Sequence, residues 1–364
     1  MRVLVVNTGS SSLKLRVLEG DRVDADLALD RWEGEDDVEA LAGFVDDAEA
    51  VDAVGHRVVH GGSDLTAPAV VTPELEEQIL KLASLAPLHQ PRAVAGMRAV
   101  RRLLPDTMQV ACFDTMFHAT ITPAAANYAL PRAWRERWGL RRFGFHGLSH
   151  AWAVHRALDV ARLPRPGDRV ISCHLGAGAS LCAARAGRSV DTTMGYTPLE
   201  GLVMATRSGS VDPGLIVWLI EHGGLDAHAV GHGLEYDAGL AGLSGTGGDL
   251  RDVLAARREG DNDASLAIDV YVHRLRREIA SMAAALDGVD VVAFTGGVGE
   301  HGAEVRAEAI AGLRFLGLAV DAEANAATTA DGDISGTRAT ARTVVVTARE
   351  DLEIAHQVEA TLTA

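Results

Sequence analysis

The sequence predicts an α/β fold built from two related halves, and three observations carry that prediction. Short apolar runs of strand length alternate with longer segments whose apolar residues recur at helical spacing. Two stretches, one opening at Val3 and one near Arg169, read alike as strand, small-residue turn, strand. Aromatic residues make up only 4% of the chain, so its core must be built from Ala, Val and Leu. That composition suits helices packed on sheets better than an all-β sandwich. A length of 364 residues fits about two domains.

In chain order, residues 3–6 are an apolar run leading into the Gly/Ser turn 7–12, and residues 13–17 alternate apolar and basic as a half-buried strand does. Thr72 precedes Pro73 and Glu74, an N-cap, a first-position proline and an acidic first turn. Leu75, Ile79, Leu82 and Ala86 then recur at helical spacing until Pro87. Residues 110–113 read as a buried strand ending at Asp114. Residues 170–184 repeat the opening pattern, and superposing the two turns puts Asn7 on His174 and Gly9 on Gly176. Tyr271, Leu275, Ile279, Met282 and Leu286 mark a long amphipathic helix before a strand over 289–294. Val305, Ala309 and Leu313 mark another helix, residues 344–346 a buried strand, and Asp351 onward a closing helix.

The formal charge is −16, and no Lys/Arg-rich run appears, which argues against a nucleic-acid partner. An anionic substrate would therefore need a local positive pocket. The apolar start is too short for a signal peptide, and no stretch reaches the ~18 apolar residues that a membrane span needs. Cys112, Cys173 and Cys182 form no Cys-x-x-Cys pair, as expected of a reduced, cytoplasmic protein.

Four glycine-rich segments, 7–12, 176–180, 244–251 and 296–299, could let backbone N–H groups approach an anion. Together they point to nucleotide binding, although no Gly-x-x-x-x-Gly-Lys occurs. A rival reading takes Gly297, Gly299 and Gly302, with Asp321 some twenty residues on, as a dinucleotide fingerprint. Too little chain follows to complete such a domain. His146 and His150, four residues apart, could form part of a zinc site, but Gly147 stands where the usual Glu would be.

Taken together, the segments VVNTGSSSLK, GHRVVHGG, APLHQP, FDTMFH, RRFGFHGLSH, CHLGAGAS, VDTTMGYTPLEGLVMATRSG, FTGGVGE and RED-LEIA closely resemble the acetate kinase family. The resemblance runs from Val3 to Ala355. It implies two duplicated actin-like (ribonuclease H-like) domains with an interdomain active-site cleft. Residues 1–150 plus 351–364 would form the acyl and metal domain, and 151–350 the nucleotide-binding and dimerisation domain. It further implies reversible transfer of the ATP γ-phosphoryl to acetate, giving acetyl phosphate and ADP, by a cytoplasmic homodimer using Mg²⁺, with Mn²⁺ as a substitute.

By the same resemblance, Asn7 and Glu350 help hold the metal, and Lys14 contacts nucleotide phosphate. Arg57 and Arg207 flank the acyl and phosphoryl groups, Asp114 is the catalytic acid, His146 steadies the transition state, and His89 is a further active-site histidine. His174, Leu175, Gly176, Ala177 and Gly178 form one nucleotide segment. Asp249, Leu250 and Arg251 form a second, and Gly296, Gly297, Val298, Gly299 and Glu300 a third. Val59, Leu88, Phe145 and Pro198 line the pocket for the substrate methyl group.

The sequence departs from the family pattern at Ala177, Gln90, Leu148 and Ser210, where Asn, Asn, Thr and Asp are usual. A propionate or butyrate kinase would keep all the catalytic residues. A nucleotide-binding non-kinase of the actin-like superfamily would have little use for Arg57, Arg207 and His146 together.

Overall fold

The computed structural model describes residues 1–9, 12–30, 32, 39–47, 50–163 and 168–363. Ser10 and Ser11 of the first glycine-rich turn lie outside the described residues. The chain divides into two compact units. One comprises Met1–Ala119, Phe145–Trp152 and Arg349–Ala364; the other comprises Thr120–Gly144 and Ala153–Ala348.

The first unit is built on β1 (Arg2–Thr8), β2 (Leu13–Glu19), β3 (Arg22–Leu29), β4 (Ala53–Val58), β5 (Ala69–Val70) and β6 (Met108–Phe113), in the order β3-β2-β1-β4-β6-β5. Strands β1 to β3 pair antiparallel, β4 joins β1 in parallel, and β6 joins β4 in parallel. The second unit is built on β7 (Arg169–Leu175), β8 (Ala179–Arg185), β9 (Arg188–Thr192), β10 (Val291–Thr295), β11 (Gly332–Asp333) and β12 (Arg342–Val345). Its order, β9-β8-β7-β10-β12-β11, repeats the first sheet strand for strand and direction for direction. The duplication predicted from the two hairpins is therefore a duplication of whole sheets. Because β1 ends at Thr8 and β7 at Leu175, Asn7 and His174 occupy the same place in their sheets.

The apolar runs follow from burial on both faces. In the first unit Val3, Val5, Ala53 and Cys112 pack against Leu148, Leu352, Ile354 and Val358. Leu4, Val6 and Val54 pack on the opposite face with Trp32, Leu41 and Val100. Strands covered on both faces lose the polar alternation of a half-exposed strand, as β1 does. Gly55 matters here, since a Cβ on it would overlap Ile354 of the C-terminal helix Glu350–Thr363. That helix lies close on the sheet, which fixes Glu350 in its first turn.

Thr72 is the N-cap it was expected to be, its hydroxyl accepting from the Leu75 N–H at 3.2 Å. The helix it starts ends at Lys81, short of the expected Ala86. Beyond it the chain continues in tight turns, with Leu82 N–H to Ile79 and Leu85 N–H to Leu82. Such turns keep Leu82 and Ala86 facing inward, so apolar spacing alone overstates the helix. The long helix Asn262–Leu286 buries all five residues that announced it. Leu313 is buried but lies beyond the helix Ala303–Ala311.

Candidate active site

In the first unit the parallel strands β1, β4 and β6 end side by side, which in α/β sheets is where ligands bind. Register places Val6 beside His56 and Arg57 beside Cys112, so Asn7, Arg57 and Asp114 fall together at those ends. The Arg57 guanidinium donates to Asp114 Oδ2 from Nη2 at 2.6 Å and from Nε at 3.1 Å. Its Nη1 donates to Asn7 Oδ1 at 3.2 Å, and Glu350 Oε2 lies 4.0 Å from Nε. Asp114 is 1% exposed, so this ion pair is sheltered from water. Burial alone would lower the Arg57 pKa, but the charges of Asp114 and Glu350 outweigh it and hold the guanidinium firmly protonated.

Two carboxylates and an amide oxygen thus surround one cation. Hard oxygen donors of this kind suit Mg²⁺, which takes one or two carboxylates together with substrate phosphates and water.

His146 sits directly before the helix Gly147–Ala161, with φ of 56°. Left-handed backbone in a non-glycine residue costs on the order of 1–3 kcal/mol and collects at functional sites. The His146 carbonyl accepts from the His150 N–H at 2.9 Å, so His146 caps the start of that helix. The Gly147 N–H donates to the Asp114 carbonyl at 2.8 Å, and a Cβ there would overlap that oxygen. The residue that weakened the zinc reading is thus what lets this helix start against the strand end bearing Asp114.

Of the other first-unit candidates, Phe145 is buried, Val59, Asn7, His89 and Glu350 are half-buried, and Lys14 and Leu88 are exposed, Leu88 at 52%. Lys14 pairs with Asn7 across the β1–β2 hairpin. His89 precedes the helix Gln90–Leu103. Two departures from the family pattern acquire a structural reason. Buried Gln90 accepts from the His60 N–H at 3.3 Å and donates to the His60 carbonyl at 2.8 Å, pinning the glycine-rich turn after β4. Leu148 is fully buried in the cluster with Val3, Val5 and Ile354.

Burial lowers the pKa of both His56 and His60 from 6.5 to about 4. His60 Nδ1 accepts from the Gly62 N–H at 2.8 Å, so its ring is neutral. The unfolded chain therefore binds protons that the folded one refuses as pH falls from about 6.5 to 4. Stability should drop across that window by about 1.4 kcal/mol per pH unit for each histidine. Urea unfolding at pH 7 and pH 5 checks this; an unchanged slope in His56→Gln would refute it.

In the second unit a cavity of about 470 Å³ is lined by Gly176, Ala177, Asp249, Leu250, Arg251, Gly297 and Val298, all predicted nucleotide residues. This volume fits a small-molecule site. His174, Leu175, Gly178, Gly296, Gly299 and Glu300 lie outside the lining but adjoin it in sequence. Gly296 has φ of 77°, and a Cβ on it would come within 2.7 Å of the Leu175 carbonyl oxygen. Only glycine lets the turn after β10 close onto the end of β7.

The Asp249 carboxylate caps the helix Leu250–Arg258, accepting from the Arg251 N–H, and also takes both Nε (3.0 Å) and Nη2 (2.6 Å) of Arg251. The Arg251 hydrogen bonds lower its pKa to about 2. Sequence reasoning missed Ala205, Leu240, Leu254, Arg258, Tyr271 and His301, which with Gly248 and Gly302 complete the wall. Arg258 and Leu254 lie four residues apart on one helix, a spacing that could have been followed from Leu250. Leu240 carried no signal.

The rival fingerprint fails at Asp321. Its carboxylate caps the helix Ala322–Ala327 through the Ala324 N–H at 2.9 Å, committing it to the fold. Arg207 is half-buried, its Nη1 donating to the Pro198 carbonyl at 3.4 Å, and Pro198 is half-buried beside it in the same unit. The segment carrying Pro198 is tied by Glu200, which accepts from Arg142 at 2.7 Å and from the Tyr128 hydroxyl at 2.5 Å. Ser210 takes the Gly201 N–H on its hydroxyl at 3.0 Å.

Comparison with known proteins bears on these features as a set. A profile of the Acetokinase family matches residues 35–356. An acetate kinase from Synechococcus sp. (strain JA-2-3B'a(2-13)) is 47% identical over 331 residues, covering 91% of this chain and 80% of the relative. The crystal structure of Porphyromonas gingivalis acetate kinase superposes with a TM-score of 0.92 at 34% identity, covering 99% of each chain. A propionate kinase from Francisella tularensis subsp. tularensis SCHU S4 gives 0.90 at 31%, again over 99% of each. With a profile over most of its length, and with relatives and structures this similar from end to end, the chain belongs to the acetokinase family.

Proposed function

We propose that this chain is a carboxylate kinase that transfers the γ-phosphoryl of ATP reversibly to acetate, forming acetyl phosphate and ADP. The observation that carries the reading is Arg57 held among Asn7, Asp114 and Glu350 at the ends of three parallel strands. Acetate, the γ-phosphoryl and ADP are all anions, so transfer between them calls for fixed positive charge more than for a strong base. Acetate is already ionised near neutral pH, since carboxyl pKa values lie near ~4. Asp114 therefore orients Arg57 and nearby groups and does not take a proton from the nucleophile.

Arg57 and Arg207 are assigned to the carboxylate and the transferring phosphoryl, whose equatorial oxygens a planar guanidinium fork can meet bidentately. His146, fixed by its left-handed backbone, and His89 are assigned to the same oxygens. Asn7 and Glu350 would hold Mg²⁺, which when bound neutralises phosphate charge. Val59, Leu88 and Phe145 in the first unit, and Pro198 in the second, are assigned to the methyl group. The second-unit cavity and Lys14 are assigned to the nucleotide.

ADP release from Mg-ATP with acetate, propionate and butyrate in turn tests this. Acetate should turn over fastest, with propionate about 10–200-fold behind, the ~1–3 kcal/mol that one methylene is worth. Propionate ahead of acetate would move the substrate to the longer acid. No carboxylate-dependent release at all would overturn the reading.

The chain works as a homodimer in the cytoplasm. The helix Pro213–Glu221 has no buried residue and leaves Leu215, Val217, Trp218 and Ile220 exposed, with Trp218 at 54%. An apolar face of this kind marks an interaction surface, and a second copy of the chain is the occupant assigned to it. Light scattering should give twice the mass of one chain for the wild type and a single chain for Trp218→Glu. A monomeric wild type would refute the assignment. Cys112, Cys173 and Cys182 are free and buried, as a reducing compartment allows. Among the described residues no helix is long and apolar enough to cross a membrane.

A further inference from the structure

Arg306, in the helix Ala303–Ala311, is 1% exposed, yet no carboxylate among the described residues pairs with it. All its bonds go to neutral acceptors. Nη1 donates to the main-chain carbonyls of Gly299 at 2.8 Å and Glu300 at 2.6 Å. Nε and Nη2 donate to the side-chain and main-chain oxygens of Asn325, both at 2.8 Å. Asn325 is itself buried and donates from Nδ2 to the Ala303 carbonyl at 2.8 Å. A buried cation is costly unless its donors are satisfied, and here the planar guanidinium reaches four acceptors at once.

What Arg306 fixes is the short helix Gly296–His301, whose last carbonyls it takes. That helix is one and a half turns long and half glycine, so it has little stability of its own. A cation at a helix C-terminus also meets the negative end of its dipole. The opposite side of the same helix supplies Gly297, Val298 and His301 to the second-unit cavity.

We infer that Arg306 is a positioning residue for the nucleotide, acting through the Gly296–His301 helix and braced by Asn325. The inference rests on the nucleotide reading of that cavity.

Arg306→Gln should raise the KM for ATP about tenfold or more, as small displacements of a binding segment do. The KM for acetate and kcat at saturating ATP should stay within about twofold. Arg306→Lys, which keeps the charge but reaches fewer acceptors, should fall between. If Arg306→Gln does not fold, Asn325→Ala carries the same expectation at smaller size. Leu286→Ala, at the C-terminal end of the long helix, serves as a control for lost stability. An ATP KM shift no larger than that control gives at a matched fall in Tm would overturn the inference.

Gly297→Phe separates the two claims, because a Cβ there would have nothing within 4 Å and Gly297 lines the cavity. If it leaves the KM for ATP unchanged, the nucleotide reading falls and the Arg306 inference with it. If it raises that KM while Arg306→Gln does not, only the Arg306 inference falls.

Discussion

Replacing Arg57 with alanine should lower carboxylate-dependent turnover by about 10³–10⁵, the range an arginine is worth when it meets charge in phosphoryl transfer. The loss has two parts that can be separated. One is the missing guanidinium itself. The other is Asp114, left as a buried carboxylate without the guanidinium that donates twice to its Oδ2; breaking a buried pair from one side costs about 3–5 kcal/mol. Arg57→Ala should therefore also unfold at lower denaturant. Adding Asp114→Asn removes the stranded charge, so the double variant should recover stability without recovering turnover. Recovery of both would mean that Arg57 serves only to neutralise Asp114. Arg57→Lys keeps the charge and loses the fork, and should lie well below wild type in kcat.

Gly147→Ala should be the most damaging single methyl group in the first unit. The added Cβ would overlap the Asp114 carbonyl oxygen and press on Phe117 at 3.1 Å, with Asp114 C at 3.0 Å. The helix start must withdraw, which breaks the 2.8 Å bond from Gly147 N–H to that carbonyl. Overpacking costs roughly 1–3 kcal/mol and a stranded buried group roughly as much again, so Tm should fall by about 5–10 °C. Activity should fall further than stability explains, because His146 and Asp114 both move with the helix start. Gly231→Ala is the contrast: it lies inside the helix Ala227–Tyr236 with nothing within 4 Å, and should be neutral or stabilising by up to ~1 kcal/mol. If Gly147→Ala melts like Gly231→Ala, the close approach is not what holds Asp114.

Much of this protein could be read without coordinates. Strand and helix identity followed from apolar period. The duplication followed from two hairpins whose turns lack bulk, because a chain that must pass close to another backbone can carry little else than glycine, serine and alanine there. Thr72, Pro73 and Glu74 announced a helix start through local chemistry that needs no tertiary partner. Arg57, Asp114, His146 and Arg207 stood out as charged or titratable groups beside strand ends and glycines.

Other features could be told only from the folded chain. Asp321 fits a ribose-binding pattern by spacing alone, and only its bond to the Ala324 N–H shows that it is a helix cap. Leu82 and Ala86 keep helical spacing beyond the helix end, since tight turns bury the same face. Leu240 reaches the cavity from a segment that carries no motif, and Tyr271, legible only as a core position of the long helix, lines it as well, as shape complementarity leaves no mark of its own in sequence. The Arg306 clamp is invisible in sequence for the same reason. Its acceptors are main-chain carbonyls and one asparagine nineteen residues away, and any residue type supplies a carbonyl. What the sequence by itself determined was which groups could do chemistry and which local elements would bear them. Which of those groups meet, at what distance and out of reach of water, was decided by the pairing of β1, β4 and β6 and by the burial that follows from it.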